Sequence, residues 1–340
     1  MATPPPGDVC LQAVLIPPQE ERLRARFELR DAPLRVDVTG WHKYAIVAED
    51  RVFLFPRHAE WIEGLERELA AYDLLGEVAG VPAPRLVGRY DDPAIWPYPF
   101  GCVTRLPGIP YGSVERQTPV EHLGDLLEEL ATLIATWHSA PLDAVPAVLA
   151  SAPPPSGPAG LDHGWGRAAL RPGGLAPAIE ALQARLSAYG LDTPPTARWV
   201  EPLRALAALA PVLVHGDVHE DQILIAETAA DTDDATLLRI TGILDWETAR
   251  IDHPVWDFNF GEWGFGIWEH RSRFPAFRRR MWAAYCRRRG LPCDDASALH
   301  LFYTLVEMAW CLDEHDAERM DADGLRRECG WRLASLREEV

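Results

Sequence analysis

Residues 211–226 of this 340-residue chain read PVLVHGDVHEDQILIA. An apolar run leads into a polar loop that carries His215 and Asp217, and Gln222 opens the next apolar run five residues after the aspartate. Binding and catalytic side chains concentrate on loops that rigid strands hold in place. This stretch is therefore the first candidate for a functional site.

A second stretch repeats the arrangement of an apolar strand followed by an acid. Residues 236–247 read TLLRITGILDWE, so that the strand leads to Asp245. Two carboxylates and an amide at the ends of neighbouring strands can converge on one point. Phosphoryl transfer needs such a set, because a carboxylate must orient the attacking hydroxyl and hard oxygen ligands must hold Mg²⁺. The pattern predicts that Asp217 accepts the hydroxyl proton and that Gln222 and Asp245 bind magnesium.

Composition places the chain among globular proteins. Of its 340 residues, 48% are hydrophobic and 25% are charged, which excludes collagen, coiled coils and small disulfide scaffolds. The 51 acidic and 33 basic side chains give a net charge of −18. Such a charge repels nucleic acid and anionic lipid and attracts cationic small molecules. We therefore expect a small-molecule partner, no nucleic acid and no membrane.

The cysteines and the N-terminus bear on the cellular compartment. The six cysteines are scattered without a CxxC pair, so buried free thiols are expected rather than a metal cluster. The N-terminus reads MATPPP and lacks the basic and apolar regions of a signal peptide. The chain also contains no run of about eighteen apolar residues. These features predict a cytoplasmic protein.

The N-terminal third of the chain has the patterns of strands and one helix. β-Branched and aromatic runs around an acidic turn predict a hairpin over 40–56. Apolar residues then recur at three- and four-residue steps over 61–77, which predicts an amphipathic helix with Glu68 beside its buried face. A further apolar run at 100–104 stops at Leu-Pro-Gly.

The chain is therefore divided into a strand-rich N-terminal lobe over 1–106 and a mostly helical C-terminal lobe over 107–340. Apolar stripes of helical period occur at 123–137, between 177 and 209, and again towards the C-terminus. Residues 140–176 are rich in proline, alanine and glycine, which predicts a surface excursion.

The two loops resemble those of a known enzyme superfamily. His215-Gly-Asp217 with an amide five residues later, followed by Leu244-Asp245-Trp-Glu, is similar to the catalytic and metal-binding loops of the aminoglycoside phosphotransferase and choline kinase superfamily. The macrolide phosphotransferase branch is a near relative. These enzymes share the protein-kinase fold, whose signature is H-R-D-x-x-x-x-N followed by a metal-binding aspartate. The resemblance covers about residues 35–310 and implies an α+β, two-lobed, protein-kinase-like fold.

The resemblance also implies roles for residues outside the two acidic loops. ATP or GTP would be the phosphate donor. The hinge from Phe100 to Leu106 would contact the purine through its backbone amide and carbonyl groups, with Thr104 and Leu106 as nucleotide contacts. Asp257 would brace the catalytic loop, and His215 would either brace the same loop or act as a catalyst.

Two positions depart from the kinase pattern. Kinases carry a third-strand lysine that grips the phosphates and pairs with a helix glutamate, whereas Leu54 stands at that position here. Lys43 is the only lysine of the chain and lies on the preceding strand, similar to the relocation in the "with no lysine" protein kinases. If the hairpin loop has an even number of residues, Lys43 shares a face with Leu54 and can pair with Glu68. An odd loop would reverse this parity.

Alternatives to these assignments stay open. Arg57 is the second candidate for the missing cation, and Lys43 would then be a surface residue in a chain that otherwise uses arginine. Gln222 stands where the family usually has asparagine, and it offers the same amide oxygen on a longer arm.

Charge and aromatic residues predict the acceptor site. The family binds acceptors against its C-terminal helices, and acids there either receive a cationic substrate or form an ordinary solvated helix face. The candidate substrate-binding residues are Glu247, Trp263, Glu307, Asp313 and Glu314.

The predicted function is transfer of the γ-phosphate of ATP or GTP, with Mg²⁺, to a hydroxyl group of a small molecule. An antibiotic is favoured, such as an aminoglycoside, a macrolide or a cyclic peptide, and the acidic C-terminal part favours a cationic one. The alternatives are a non-catalytic, kinase-like nucleotide-binding module, and a metabolic kinase for choline, a sugar amine or a hydroxy amino acid.

Overall fold

The computed structural model describes residues 11, 14–29, 33–38, 40–114, 118–150, 164–229, 236–258, 272–293 and 296–337. The chain divides into two compact units, each assembled from segments that are distant in sequence. The first unit consists of Met1–Ser113, Ala140–Pro153 and Asp221–Arg250, and the second of Val114–Ser139, Pro154–Glu220 and Ile251–Val340. The predicted α+β class is confirmed, because strands dominate the N-terminal part of the chain and helices the remainder.

An antiparallel sheet forms the centre of the first unit. Its five strands are β1 (Arg35–Asp37), β2 (Lys43–Val47), β3 (Arg51–Pro56), β4 (Leu86–Tyr90) and β5 (Phe100–Thr104). Their spatial order is β1-β2-β3-β5-β4. In the predicted hairpin, Val47 lies opposite Val52. The Ala48 N–H donates to the Arg51 carbonyl (2.9 Å), so Glu49 and Asp50 form a loop of two residues. The even loop is therefore confirmed.

The two faces of this sheet carry different helices. Helix α1 (Pro17–Arg26) contributes Leu23 to a buried cluster that also contains Phe53 and Phe55. Helix α2 (Ile62–Leu75) covers the opposite face with the apolar stripe that the sequence predicts. Gly101 allows its close approach, because a Cβ atom at that position would lie 2.5 Å from the Leu69 side chain.

A second sheet of the first unit carries the segment with Asp245. Its strands are β6 (Ile109–Pro110), β8 (Ile223–Ala229) and β9 (Thr236–Ile243), in that spatial order. The Thr241 hydroxyl donates to the Pro107 carbonyl (2.7 Å). The predicted lobes, 1–106 and 107–340, are separated by a single boundary in the sequence. The compact units instead contain several sequence segments each. One reason is that β6, which lies beyond residue 107, pairs with β8.

Helices build the second unit. They are α3 (Val120–Trp137), α5 (Gly164–Leu170), α6 (Leu175–Ala188), α7 (Thr196–Ala207), α8 (Phe274–Arg289), α9 (Ala298–Asp316) and α10 (Ala322–Arg337). Helix α9 packs against five of the others, and every residue from 298 to 309 is buried. A helix that is apolar on all sides becomes the core of its unit. Strand β7 (Val212–Val214), which leads to His215, pairs with β10 (Arg250–Asp252).

The surface excursion expected over 140–176 contains two short helices. Its first part contains helix α4 (Ala147–Ala150), in which Leu149 is fully buried, and its last part contains α5, in which Ala169 is buried. Only a few residues of these short helices reach the core, and most of the described residues around them are exposed or half-buried. The excursion therefore contains two short helices that are anchored by Leu149 and by Ala169. Residues 151–163 lie outside the described residues. Among the residues that are described, no helix combines the length and apolarity that a membrane crossing requires.

Candidate active site

A lysine and three carboxylates form a cluster in the first unit, which we call the lysine cluster (Lys43, Glu68, Asp245 and Glu247). Lys43 Nζ lies 2.8 Å from a Glu68 oxygen and 3.0 Å from a Glu247 oxygen, and it also donates to Asp245. The side chain of Lys43 is 14% exposed and that of Glu68 is 2% exposed. Because charges attract more strongly away from water, these four side chains act as one ion-paired group.

The register of the hairpin places Lys43 in this cluster. Ala45 lies opposite Leu54, and Lys43 lies opposite Pro56. These residues share the face of the sheet that α2 covers, because alternate residues of a strand point the same way. Leu54 is buried at the position where kinases carry their lysine. The pairing of Lys43 with Glu68 that the even loop predicted is present.

Burial and charge together set the ionisation of the cluster. Burial lowers the pKa of Lys43, but the charges of Asp245, Glu68 and Glu247 outweigh it and raise that pKa well above its ordinary value. Burial raises the pKa of Glu68 to about 7, although the neighbouring Lys43 opposes this shift. Lys43 is therefore charged at neutral pH, which phosphate binding requires.

The backbone of Asp245 adopts a conformation that is unusual for a residue with a side chain. Its φ of 64° and ψ of 59° lie in the left-handed region, where aspartate is tolerated better than most residues. Its N–H donates to the Tyr72 hydroxyl (3.1 Å), which donates to Glu68 (2.8 Å). The Gln222 side-chain amide lies 3.5 Å from the Asp245 carboxylate. The two predicted metal ligands are thus neighbours. The left-handed backbone of Asp245 is a form of local strain that is typical of functional sites.

Glu247 bonds to two consecutive residues where β2 begins. One carboxylate oxygen accepts from Lys43 (3.0 Å), and the other accepts from Nδ1 of His42. The His42 ring is stacked on Trp61, with 3.7 Å between centroids and 21° between planes. Both oxygens of Glu247 are therefore engaged within the first unit.

A buried carboxylate holds the His215-Gly216-Asp217 loop in the second unit. Asp257 accepts the backbone N–H groups of His215 (2.9 Å) and Gly216 (2.7 Å). Gly216 has a φ of 84°, a conformation that favours glycine. The Asp217 N–H donates to His215 Nδ1 (3.3 Å), and Asp217 itself is exposed. The bracing contacts expected of Asp257 are present, and the His215 ring also supports the loop.

Asp257 belongs to a larger network, which we call the loop brace (Trp137, His138, Asp257 and Tyr285). Trp137 Nε1 (2.7 Å) and His138 Nε2 (2.9 Å) donate to Asp257, and the Tyr285 hydroxyl donates to His138 Nδ1 (3.0 Å). Burial raises the pKa of Asp257, but the hydrogen bonds from His138 and Gly216 outweigh it and hold that pKa below its usual value. Burial lowers the pKa of His138. Asp257 is therefore ionised and His138 neutral at pH 7.

Several members of these networks carried no motif that predicts their role. Tyr72 and Trp137 stand in apolar stripes of helical period and match ordinary core residues. His138 follows the stripe of α3, and a histidine at the end of a buried stripe is the one signal that could have singled it out. His42 gives no such signal, because its partner Glu247 is 205 residues away.

Glu307 requires a correction. The sequence predicts that it binds the acceptor together with Asp313 and Glu314, but it is 4% exposed and is ion-paired with Arg278 and Arg332. The reason is that α9 is buried on all sides at this point, so an acid there must be neutralised from within the fold. Glu307 is therefore not available to a cationic substrate from solvent.

The other acids of α9 lie near its C-terminal end and are ion-paired with arginines. Arg185 lies 2.9 Å from Asp313, and Arg319 lies 2.6 Å from Glu314. Asp313 is 50% exposed. These two residues stay candidates for acceptor binding, with part of their charge already balanced.

The remaining predicted site residues have varied surroundings. Thr104 receives the Arg85 N–H on its hydroxyl (2.9 Å) at the end of β5, and Leu106 beyond it is half-buried. Arg57, the second candidate cation, donates to the Val38 carbonyl and lies over the Tyr44 ring, 4.4 Å from its centroid. Trp263 lies outside the described residues.

Comparison with known proteins identifies the family. The model of a phosphotransferase enzyme family matches residues 34–297. The chain belongs to this phosphotransferase family. The match confirms the predicted superfamily and the predicted class of enzyme, a small-molecule kinase with a hydroxyl acceptor. No curated protein matches the sequence.

Solved structures of other phosphotransferases are similar in fold. The GDP and kanamycin complex of APH(2'')-IIIa has a TM-score of 0.54 at 18% identity, over 94% of this chain and 99% of that one. The ADP-bound aminoglycoside phosphotransferase APH(2'')-Ib has a TM-score of 0.52 at 16% identity, over 94% and 98%. The gentamicin complex of APH(2'')-IIa has a TM-score of 0.50 at 16% identity, over 92% and 95%. These likenesses confirm the predicted protein-kinase-like fold.

Proposed function

We propose that this phosphotransferase moves the γ-phosphate of ATP or GTP to a hydroxyl group of an antibiotic-like, cationic acceptor, with Mg²⁺ as its metal. The observation that carries the proposal is the lysine cluster. A kinase needs a lysine paired with a helix glutamate beside a metal-binding aspartate. Lys43 meets Glu68 at 2.8 Å and donates to Asp245, although it starts from β2.

The same cluster weighs against a non-catalytic module. That alternative rests on Leu54 at the usual lysine position and on Gln222 in place of asparagine. Lys43 supplies the cation from the neighbouring strand and so compensates for Leu54. The Gln222 side chain reaches the proposed metal ligand, with 3.5 Å between its Nε2 and the Asp245 carboxylate.

The residues around Asp245 fit a magnesium ion. Mg²⁺ prefers carboxylate and amide oxygens, and Asp245 and Gln222 provide one of each, with Asp245 34% exposed. Glu68, Asp245 and Glu247 also offer carboxylate oxygens that lie within 4.8 Å of one another. Asp245 and Gln222 would hold the ion, whose charge would offset that of the donor's phosphates.

Asp217 is assigned to the acceptor hydroxyl. Its carboxylate is exposed on a loop whose backbone the loop brace holds, so it is accessible and fixed in position. In the transfer step the acceptor oxygen forms a bond to the γ-phosphorus and the bond to the β,γ-bridging oxygen breaks. Asp217 receives the hydroxyl proton, and the nucleoside diphosphate leaves.

Charge supports the choice of a cationic acceptor. The whole chain has a net charge of −18, and residues 119–340 carry 34 acidic against 20 basic side chains. A negative field raises the local concentration of cations. Two of the similar structures contain kanamycin and gentamicin, which makes aminoglycosides the first acceptors to test.

The test is a transfer assay on the full chain with γ-labelled ATP and, separately, γ-labelled GTP. Acceptors are aminoglycosides, macrolides, a cyclic peptide, choline, a sugar amine and a hydroxy amino acid. We expect label on a cationic antibiotic in the presence of Mg²⁺, and transfer that is slower by about 10²–10⁴ in Asp217→Asn. Asp192→Asn, which changes an exposed aspartate of the same unit, is the matched control and should retain the rate.

Two results would contradict the proposal. Transfer to choline, the sugar amine or the hydroxy amino acid alone would identify a metabolic kinase. Nucleotide binding without transfer to any acceptor would identify a non-catalytic module.

A further inference from the structure

Both carboxylate oxygens of Glu247 have partners within the protein. Its Oε2 lies 3.0 Å from Lys43 Nζ, and its Oε1 accepts from His42 Nδ1. The side chain is 15% exposed. An acceptor contact, the role that the sequence suggested, would need an oxygen directed at the acceptor, whereas both oxygens face the start of β2.

Lys43 extends from β2, and the carboxylates that pair with its ammonium group act as its anchors. Its long, flexible side chain must hold the ammonium group at one point to pair with phosphates. Asp245 is a proposed metal ligand, so its carboxylate is committed elsewhere when the donor is bound. The anchors that then remain are Glu68 at 2.8 Å and Glu247 at 3.0 Å.

These two anchors belong to different elements. Glu68 lies on α2, and Glu247 lies in the helical turn of residues 246–248, which packs against α2. The two carboxylates therefore restrict the ammonium group from two elements of the same unit, which leaves the side chain fewer conformations to lose on binding.

We infer that Glu247 is a positioning residue, which together with Glu68 holds Lys43 where it meets the nucleotide phosphates. The inference rests on the proposed function. Glu247 also ties down His42, whose ring is stacked on Trp61 at 3.7 Å. One carboxylate thus connects the loop before β2, the lysine and the segment that carries Asp245.

Glu247→Gln tests this role, because it removes the charge and keeps the size of the side chain. We expect the KM for nucleotide to rise about tenfold, the effect of losing one charge-assisted hydrogen bond. The kcat should stay within about threefold, and the KM for the acceptor should not change. Glu60→Gln, which neutralises an exposed glutamate of the same unit, is the matched control and should change none of these values.

A second readout does not depend on turnover. Nucleotide binding, measured by calorimetry with Mg²⁺ and without an acceptor, should weaken in Glu247→Gln by a similar factor of about ten. Tighter binding would show that the carboxylate acts only by repelling phosphate, and it would overturn the inference. In a Lys43→Ala background, Glu247→Gln should have no further effect, whereas additive losses would show that Glu247 does not act through Lys43.

The outcomes also separate this inference from the function on which it rests. A raised KM for the acceptor with an unchanged KM for nucleotide would return Glu247 to the acceptor site and leave the kinase assignment intact. Absence of transfer by the unaltered chain would contradict the proposed function, while the binding comparison would still decide whether Glu247 holds Lys43.

Discussion

The lysine cluster of the first unit and the loop brace of the second use acids in opposite ways. In the lysine cluster three carboxylates share one ammonium group, and Asp245 is 34% exposed. In the loop brace one carboxylate, Asp257, meets four N–H donors at 0% exposure. Buried charge is tolerated only when its hydrogen bonds are complete.

The difference fits the roles proposed for the two networks, ligand binding for the lysine cluster and support for the loop brace. The lysine cluster has an excess of negative charge and an exposed member, as expected of groups that exchange partners with a metal and a nucleotide. The loop brace is closed, as expected of a support that never releases its backbone. The tests below break or sharpen this distinction.

The largest effect is expected on kcat, from replacing Asp217 in the loop that the loop brace holds. Asp217→Asn should lower kcat by about 10²–10⁴, the contribution of a positioned general base. The free energy of unfolding should be unchanged, because Asp217 is exposed. Initial-rate assays and urea denaturation check the two halves. Loss of stability would place Asp217 among the supporting residues, and a retained rate would refute its role.

Replacing Asp257, the acid of the loop brace, should mainly lower the free energy of unfolding. Asp257→Asn should destabilise the protein by about 3–5 kcal/mol, because an amide N–H then faces buried donors and their ionised partner is gone. Asp245→Asn should stay within about 1 kcal/mol, since Lys43 retains two carboxylates. Urea denaturation of both variants measures the contrast, and equal losses would remove the distinction between the two networks.

The buried groups of the second unit should also make the protein less stable at acidic pH. Burial lowers the pKa of His253 to about 4, although its bond to the Leu206 carbonyl and the charge of Asp252 oppose the shift. Below about pH 6.5 the unfolded chain takes up a proton that the folded chain refuses. Stability should therefore fall by about 3 kcal/mol between pH 6.5 and 4 on account of this residue.

His253→Gln keeps a donor for Leu206 and does not titrate. The dependence of the unfolding free energy on pH should be shallower in this variant over the same interval, as measured by urea denaturation at several pH values. An unchanged slope would show that His253 takes up its proton in the folded state.

The smallest effect is expected on kcat/KM for nucleotide, from changing the strand that carries the lysine. Lys43→Ala should lower kcat/KM for nucleotide by about 10- to 50-fold, the loss of one charge-assisted contact with phosphate. Leu54→Lys in the same chain should recover part of that loss, because Leu54 shares the face of Lys43. Arg57→Ala should change the value by less than about threefold, since Arg57 is engaged by Val38 and Tyr44. A larger effect would make Arg57 the phosphate-binding cation.

Local patterns predicted much of the first unit. The acidic turn with an even loop led to the pairing of Lys43 with Glu68, because the two-residue period of a strand converts loop length into side-chain direction. The same reasoning failed at Glu307. A single acid in an apolar helix does not reveal whether the helix is half-buried or buried on all sides, and Arg278 and Arg332 lie on other helices.

By itself, the sequence determined the α+β class, the hairpin with its parity, and the two acidic loops whose spacing matches a phosphotransferase. These depend on residues close together in the chain, whose geometry follows from the periods of strand and helix. Tertiary structure alone decided that Glu247 bonds to His42 across 205 residues and that Trp137 donates to Asp257 across 120. Such contacts depend on how whole elements pack, and no local period carries that information.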